Sequence, residues 1–315
     1  MRATFGTADC GRFRRHHGER VTQSRTIAVV ATLGSAALFG TSATSRALSG
    51  LTLDSITVAS VRLLIGAAGL VVICVVAGRF ANVRALWRHR LIWIMGCGVA
   101  AYQALFFVGT GLIGVAIGTL ASLALGPLMA GLLAWARGGN RPVAMWWVST
   151  AIAIAGLAVL SSEAFSADIR LDPLGIVAAV GAGTAYAVYT VLGSQLAQGD
   201  SHPTDVLAAS FSIGAVLLIP LGWNHFNQFN SGTGIGLALW LGLATTTLAY
   251  VLFGKGIQQL PPGTVATLNL AEPVVATVLG VIVLNEVMSA TSAIGSGLIA
   301  VSLSVLAVGT VRGAS

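Results

Sequence analysis

Long uninterrupted runs of apolar residues, separated by short polar breaks, dominate the chain. Ten of these runs have the length of about 20 residues that a helix needs to cross the hydrocarbon core of a bilayer. Continuous apolar runs favour helices, because strands of a membrane barrel would alternate apolar and polar residues. The pattern therefore predicts an all-α integral membrane protein with ten transmembrane helices. The predicted spans are 26–46, 57–77, 91–111, 113–136, 143–162, 174–197, 204–222, 233–254, 263–285 and 289–311.

The polar breaks carry residues that are typical of turns and loops. Arginines cluster in the break at 82–90, and Gly, Asn and Pro fill the break at 138–142. Gly, Asp and Pro mark residues 199–203, and a Pro-Pro-Gly sequence marks 261–263. The break at 168–173 lies near the middle of the chain and is the predicted boundary between two halves.

The composition excludes a soluble globular protein. The 315 residues are 56% hydrophobic and 9% charged, with a mean hydropathy of +0.87. A soluble domain is about 45–50% apolar and about 25% charged. Ten spans need roughly 200 residues, so the remaining third leaves no room for a sizeable soluble domain. The three cysteines, Cys10, Cys74 and Cys97, follow no metal-binding or disulfide spacing.

The positive charges indicate how the chain is oriented. The net charge is +7, which in a soluble protein would suggest a nucleic-acid partner. Here the Lys and Arg residues lie beside apolar runs, which indicates membrane topology instead. With the N-terminus inside, 14 of the 17 basic residues fall on the cytoplasmic side. Residues 1–25 are predicted to be a disordered basic cytoplasmic tail without the features of a signal peptide, and the expected location is the cytoplasmic (inner) membrane.

An internal repeat divides the chain into two halves of five spans, 26–162 and 174–311. Because five is an odd number, the halves would cross the membrane in opposite orientations, as in many secondary transporters. The alternative is chance similarity among helices rich in Ala, Leu and Gly. The shared pattern is an Ala-Tyr pair followed at the same spacing by a Thr-Leu pair, at 101–102 and 119–120 and again at 249–250 and 267–268.

Glu272 is the one acid in the middle of a predicted span. A charge at that depth costs about 2.5–3.5 kcal/mol on insertion scales. Pro273 follows it and frees a backbone carbonyl one turn earlier, and Asn269 lies on nearly the same helix face. We interpret the three residues as a polar, locally unwound site near the midplane. The alternative is a structural Glu, paired or protonated, that fixes helix packing.

Aromatic and polar side chains form stripes on several spans and are candidates to line a cavity. The alternative use of such residues is hydrogen bonding between helices. Arg62, inside the second span, could pair with Asp54 or Glu272, or extend its long stem to the interface. The lining is expected on the first, third, fourth, sixth, eighth and ninth spans. The candidate side chains besides Glu272, Asn269 and Pro273 are Phe39, Tyr102, Gln103, Tyr186, Tyr189 and Tyr250.

Small residues recur at helix-packing spacings. Gly66 and Gly69 lie close together on the second span, and Gly114 and Gly118 are four residues apart on the fourth. Such pairs let helix backbones approach closely. Packing within the chain is the expected use, and a homodimer is the alternative.

Signatures of enzymes are absent from the sequence. The five histidines fall in the tail or loops without metal-ligand spacing, and the sequence holds no nucleophile elbow or phosphate-binding loop. No metal, cofactor or nucleic-acid partner is therefore expected. The alternative from another class is an integral-membrane lipid or polyprenyl transferase, which usually shows Asp-rich or His-containing motifs at the membrane face.

The last two spans contain a set of short motifs: Leu270-Ala271-Glu272-Pro273-Val274, Leu279-Gly280, Leu284-Asn285-Glu286, Gly295 and Leu298-Ile299. This set resembles the signature of the EamA family of the drug/metabolite transporter superfamily. The resemblance implies ten spans in two five-span repeats, both termini in the cytoplasm, and export of small metabolites. The first repeat departs from it, with Gly126-Pro127 where the second has Glu272-Pro273.

The sequence therefore predicts a secondary transporter that exports a small metabolite, an amino acid or a drug-like compound, by alternating access. Glu272 would supply polarity or a protonation site, Asn269 a hydrogen bond, and Tyr186 and Tyr189 the shape of the cavity. Proton coupling and facilitated exchange both remain open at this point.

The predicted topology can be checked with reporter fusions. Since ten is an even number, we expect a fusion after Ser315 to report from the cytoplasm and a fusion near Ser231 to report from outside. A cytoplasmic signal at Ser231, or an outside signal at Ser315, would contradict the ten-span inverted repeat.

Overall fold

The computed structural model describes residues 7–162 and 172–312 and consists of helices. The first six residues of the predicted tail lie outside the described part. So do residues 163–171, which include most of the predicted boundary at 168–173. The α-helices are α1 Thr7–Ser49, α2 Ser55–Val76, α3 Phe80–Leu86, α4 Arg90–Ile113, α5 Val115–Ala136, α6 Ala144–Ser161, α7 Pro173–Gln198, α8 Pro203–Gly222, α9 Gly232–Leu239, α10 Ala249–Gln259, α11 Pro262–Leu268, α12 Ala271–Leu284 and α13 Ala290–Val311.

Within the described residues, ten helical segments are long and apolar enough to cross a membrane, so the predicted all-α fold with ten spans is confirmed. Most spans are single helices, and three are composite. The seventh continues from α8 into a 3-10 turn at Trp223–Phe229, and the eighth joins α9, a π-helical stretch at Trp240–Leu248, and α10. The ninth consists of α11 and α12.

The first helix differs from the sequence prediction at its start. α1 begins at Thr7 and so includes residues 7–25, which were predicted to be a disordered tail. The membrane-length apolar part begins at Thr22. Once a stable helix exists, each added residue gains a hydrogen bond without a new nucleation cost, and this allows the polar residues before the span to continue the helix.

Polar residues in the breaks end one helix and start the next. Asp54 caps α2 by accepting hydrogen bonds from the Thr57 backbone N–H and hydroxyl, both at 2.8 Å. These bonds hold the pKa of the Asp54 carboxyl below its usual value. Asp172 caps α7 and Ser289 caps α13 in the same way. The predicted basic break after the second span contains the short helix α3.

The main packing pairs are related by a shift of five spans. The third span packs on the sixth and the eighth on the first; the fourth packs on the sixth and the ninth on the first. The third also packs on the seventh and the eighth on the second. Three further pairs are exchanged with themselves by this shift: the second span packs on the seventh, the fourth on the ninth and the fifth on the tenth. Replacing each span by the one five positions away returns the same pairs, as a five-span repeat requires.

The glycines of the second span permit close contact with the eighth. A Cβ at Gly66 would overlap the side chain of Thr246, and one at Gly69 would overlap that of Thr247. Thr247 also donates a hydrogen bond of 3.1 Å to the Gly66 carbonyl. The predicted packing role of these glycines within the chain is therefore observed where the second span meets the π-helical stretch.

A buried carboxylate joins the second and seventh spans at one end of the bundle. Asp205, in the first turn of α8, is 1% exposed. It accepts hydrogen bonds from Arg79 Nε at 3.0 Å, Asn82 Nδ2 at 3.3 Å and Cys74 Sγ at 3.3 Å. Arg79 also forms the ion pair with this carboxylate. Because the donors come from α2 (Cys74), from the residue just before α3 (Arg79) and from α3 (Asn82), Asp205 fixes α8 against that connection.

Replacing Asp205 by Ala should destabilise the protein strongly. The change leaves the Arg79 guanidinium, the Asn82 amide and the Cys74 thiol without their acceptor, and a hydrogen bond to a charged group contributes about 1.5–3 kcal/mol. Thermal unfolding of the detergent-solubilised protein measures the loss. Asp200→Ala is the matched control, because Asp200 is exposed in the preceding turn and its replacement should leave the unfolding temperature nearly unchanged. Equal effects of the two substitutions would contradict a stabilising role for the Asp205 cluster.

Candidate functional site

A cavity of about 160 Å³ lies at the centre of the bundle. It is lined from the first, third, fourth, sixth, eighth and ninth spans, as predicted, and from the second through Arg62. Both five-span halves therefore contribute to its wall. We call it the central cavity.

The central cavity brings together nearly all of the candidate residues. Phe39, Tyr102, Gln103, Tyr186, Tyr189, Tyr250, Asn269 and Glu272 all line it, and so does Arg62. Pro273 does not line it. The lining residues that are not among these candidates are Phe106, Phe107, Thr119, Ser122, Leu123, Gly126, Pro127, Ala266 and Leu270. One available signal was the position of Gly126-Pro127, which corresponds in the first repeat to Glu272-Pro273.

The ninth span breaks beside Glu272. α11 ends at Leu268 and α12 begins at Ala271. Pro273 has no N–H to donate to the carbonyl of Asn269, four residues earlier; the Glu272 N–H donates to it instead, at 3.0 Å. Glu272 thereby lies in the first turn of α12, where the partial positive charge of the helix N-terminus favours a carboxylate.

Tyrosines form the wall of the cavity and also link helices. The Tyr189 and Tyr250 hydroxyls are 3.2 Å apart and join the sixth and eighth spans. Asn269 Nδ2 donates to the Tyr186 hydroxyl at 3.1 Å and joins the ninth span to the sixth. The rings of Tyr102 and Tyr186 pack with their centroids 5.8 Å apart. The two alternative uses of these stripes, cavity lining and interhelical hydrogen bonding, therefore occur in the same side chains.

Two ionisable side chains of opposite type, Arg62 and Glu272, line the central cavity and form no ion pair or hydrogen bond with the described residues. Among the described residues, no carboxylate oxygen lies within 4.0 Å of the Arg62 guanidinium. The predicted ion pair of Arg62 with Asp54 or Glu272 is therefore not formed, and one reason is that Asp54 is engaged in capping α2. The Glu272 carboxylate likewise has no hydrogen-bond donor in the described part of the chain.

A second, larger cavity of about 860 Å³ lies at one end of the bundle. We call it the terminal cavity. It opens at the connections after the fourth and eighth spans, on the side that the arginine distribution predicts to be cytoplasmic. Its polar lining includes Arg25, Asn140, Arg141, Gln198, Gln258, Gln259 and Thr310.

Small apolar residues separate the two cavities. Ala130, Ala187, Val191 and Ala266 form a buried cluster between them, with at most 2% exposure. A Cβ at Gly263 would lie 2.9 Å from the Gly131 Cα and 3.0 Å from the Trp146 ring, so α5 and α11 nearly touch there. This apolar layer packs against Tyr186 of the central cavity and against Ala134 of the terminal cavity.

Comparison with known proteins identifies the family. Residues 173–308 match the model of the EamA-like transporter family. Over 269 residues the chain is 34% identical to the uncharacterized transporter YwfM of Bacillus subtilis, with 85% of this chain and 89% of that protein covered. The chain belongs to the EamA-like transporter family. The resemblance seen in the last two spans is thereby confirmed, and the protein is a transporter rather than the transferase considered as an alternative.

More distant relatives share parts of this EamA-like transporter. The threonine/homoserine exporter RhtA of Escherichia coli K12 is 32% identical over 185 residues, which cover 55% of this chain and 56% of the exporter. A solved crystal structure superposes with a TM-score of 0.77 at 22% identity, covering 91% of this chain and 99% of the other. The structural match shows that the fold is shared.

The tyrosine pair in the wall predicts unequal effects of two matched substitutions. Tyr250→Phe leaves the Tyr189 hydroxyl, on a residue 2% exposed, without its partner, and an unsatisfied buried hydroxyl costs about 1–3 kcal/mol. Tyr189→Phe leaves the hydroxyl of Tyr250, which is 8% exposed, and should cost less.

Because each substitution removes the same hydrogen bond, the double variant should be less destabilised than the sum of the two single variants. Thermal unfolding of the four purified proteins completes this cycle. Additive effects would show that the 3.2 Å contact contributes no coupling.

Proposed function

We propose that this EamA-like transporter exports a small amino acid across the cytoplasmic membrane by alternating access around the central cavity. The size and lining of that cavity carry the proposal. A pocket for a drug-sized ligand has a volume of about 300–1,000 Å³, whereas the central cavity has about 160 Å³. At roughly 30 Å³ per water molecule in the liquid, this space suits a solute the size of about five waters.

The lining supports a polar solute rather than an apolar one. Arg62, Gln103, Asn269 and Glu272 supply charge and hydrogen-bonding groups on the cavity wall, and the tyrosine rings limit its width. The relatives named threonine/homoserine exporters support an amino acid as the solute and export as the direction. Of the two solute classes predicted from the sequence, the volume favours the amino acid over the drug-like compound.

Alternating access is supported by how the two halves meet. The packing pairs exchange under a shift of five spans, and both halves line the central cavity. In an inverted repeat, rocking one half against the other would open the cavity to alternate sides of the membrane. The apolar layer at Ala130 and Ala266 would then separate to admit the solute from the terminal cavity. The proposed topology keeps both termini in the cytoplasm.

Transport itself is the direct test. The purified protein is reconstituted in proteoliposomes. For each assay the vesicles are loaded with one unlabelled compound, and the same compound is supplied outside in radiolabelled form. The panel is threonine, homoserine, leucine and phenylalanine, with ethidium as the drug-like compound. We expect counterflow of at least one small amino acid and none of ethidium. Counterflow of ethidium alone, or of no compound in the panel, would contradict the proposal.

Glu272→Gln separates a transport role of this residue from a structural one. The change keeps the size and hydrogen bonding of the side chain but removes its charge. We expect folded yield near that of the wild type and loss of most counterflow. Glu286→Gln is the matched control, since Glu286 is exposed after the end of α12 and its replacement should not reduce transport. Wild-type counterflow by Glu272→Gln across pH 6 to 8 would exclude both solute binding and proton coupling by Glu272.

A further inference from the structure

We propose that Arg62 and Glu272 form a two-point charge site, in which Arg62 binds the carboxylate of a zwitterionic amino acid and Glu272 binds its ammonium group. The inference rests on the proposed function and specifies which part of the solute the central cavity recognises. It assigns recognition to the groups common to all α-amino acids, and leaves the side chain to the tyrosine and Phe39 wall.

Arg62 is placed to bind an anion inside the membrane. It lies in the third turn of α2, its side chain lines the central cavity, and none of the described carboxylates pairs with it. A charged residue within a span is costly to insert, so an arginine held there without a protein partner points to a ligand. The planar guanidinium presents parallel N–H groups that match a carboxylate in a bidentate pair.

Glu272 and Asn269 provide acceptors for a cation on another wall of the same cavity. Glu272 is half-buried there, without a donor from the described chain. Asn269 is 9% exposed; its amide nitrogen is engaged with Tyr186, and its Oδ1 is buried with no partner among the described atoms. An ammonium group has three donors and no acceptor. Two acceptors without a partner therefore lie three residues apart at the break of the ninth span, both on residues that line the central cavity. They complement an ammonium group.

The two charges belong to one site because they share one small space. They do not pair with each other in the described structure, yet both line a cavity of about 160 Å³. A zwitterion placed between them satisfies both charges and adds no net charge to the low-dielectric interior. An amine or a carboxylate alone would leave one protein charge uncompensated, which is expensive away from water.

The test compares threonine with two analogues that each lack one charge. Threoninol retains the ammonium group and replaces the carboxylate by a hydroxymethyl group; 3-hydroxybutyrate retains the carboxylate and lacks the amine. Each unlabelled compound competes with labelled threonine for counterflow by the wild-type protein in proteoliposomes. Each analogue lacks one charged group of threonine, and hydrogen bonds to charged groups are stronger than those between neutral groups. We therefore expect threonine to compete at least about tenfold better than either analogue.

Two variants should show opposite patterns. Arg62→Gln should lose the preference for threonine over threoninol and keep the preference for threonine over 3-hydroxybutyrate. Glu272→Gln should lose the preference over 3-hydroxybutyrate and keep the preference over threoninol. Binding is read from the ligand-induced rise in unfolding temperature, so that a variant that no longer transports is still informative. Arg62→Lys, which keeps the charge, should retain part of the preference. Arg46→Gln and Glu286→Gln, which alter charges that do not line the cavity, should behave as the wild type.

The outcomes separate this inference from the proposed function. If threonine is not a substrate, the comparison uses whichever panel amino acid is carried, with its own alcohol and deaminated acid. If an amino acid is carried but the analogues compete equally, or if both variants lose preference over both analogues alike, the charge site is wrong and amino-acid export stands. If no amino acid is carried, the proposed function fails, and the charge site fails with it.

Discussion

The structure depends on one constraint, which is that the hydrocarbon core of a bilayer offers no hydrogen-bond partner. Backbone groups satisfy it within helices, and polar side chains satisfy it between them. The Thr150 and Thr267 hydroxyls meet at 2.9 Å between the fifth and ninth spans, and Ser302 donates to the Ser149 carbonyl between the tenth and the fifth. Asp205, with its three donors, is the charged example.

Against this background, the central cavity stands out because two of its lining residues, Arg62 and Glu272, are ionisable and form no ion pair within the described residues. Tyr189 and Tyr250 satisfy each other and hold the wall, whereas Arg62, Glu272 and the Asn269 oxygen have no partner in the described part of the protein. Groups paired with each other stabilise a fold. Groups left unpaired in an enclosed space are free to bind a solute, and a transporter needs such groups to bind and then release its cargo.

Much of the site could be predicted from the sequence, because its strongest signals are local. An acid in the middle of an apolar run is conspicuous, and the effect of Pro273 on the helix follows from its missing N–H. The tyrosine stripes were visible from helical periodicity. Thr119, Ser122 and Leu123 were not recognised as lining residues, although Thr119 belongs to the repeated Thr-Leu pair, because short hydroxyls and leucines in an apolar helix do not by themselves indicate a cavity. The partner of Arg62 could not be chosen either, since capping by Asp54 and the distance to Glu272 depend on how separate helices pack.

The sequence by itself determined the number of spans and their approximate ends, since these follow from apolar runs about 20 residues long. It indicated the family through a short motif in the last two spans. It also indicated a five-span repeat. Only the tertiary structure decided that one small cavity collects Phe39, Arg62, Tyr102, Tyr186 and Glu272, and that an apolar layer packs against its wall at Tyr186. The physical reason is that hydropathy is summed along a helix, whereas a cavity is made by side chains from spans far apart in sequence, whose meeting is fixed by the close packing of small residues.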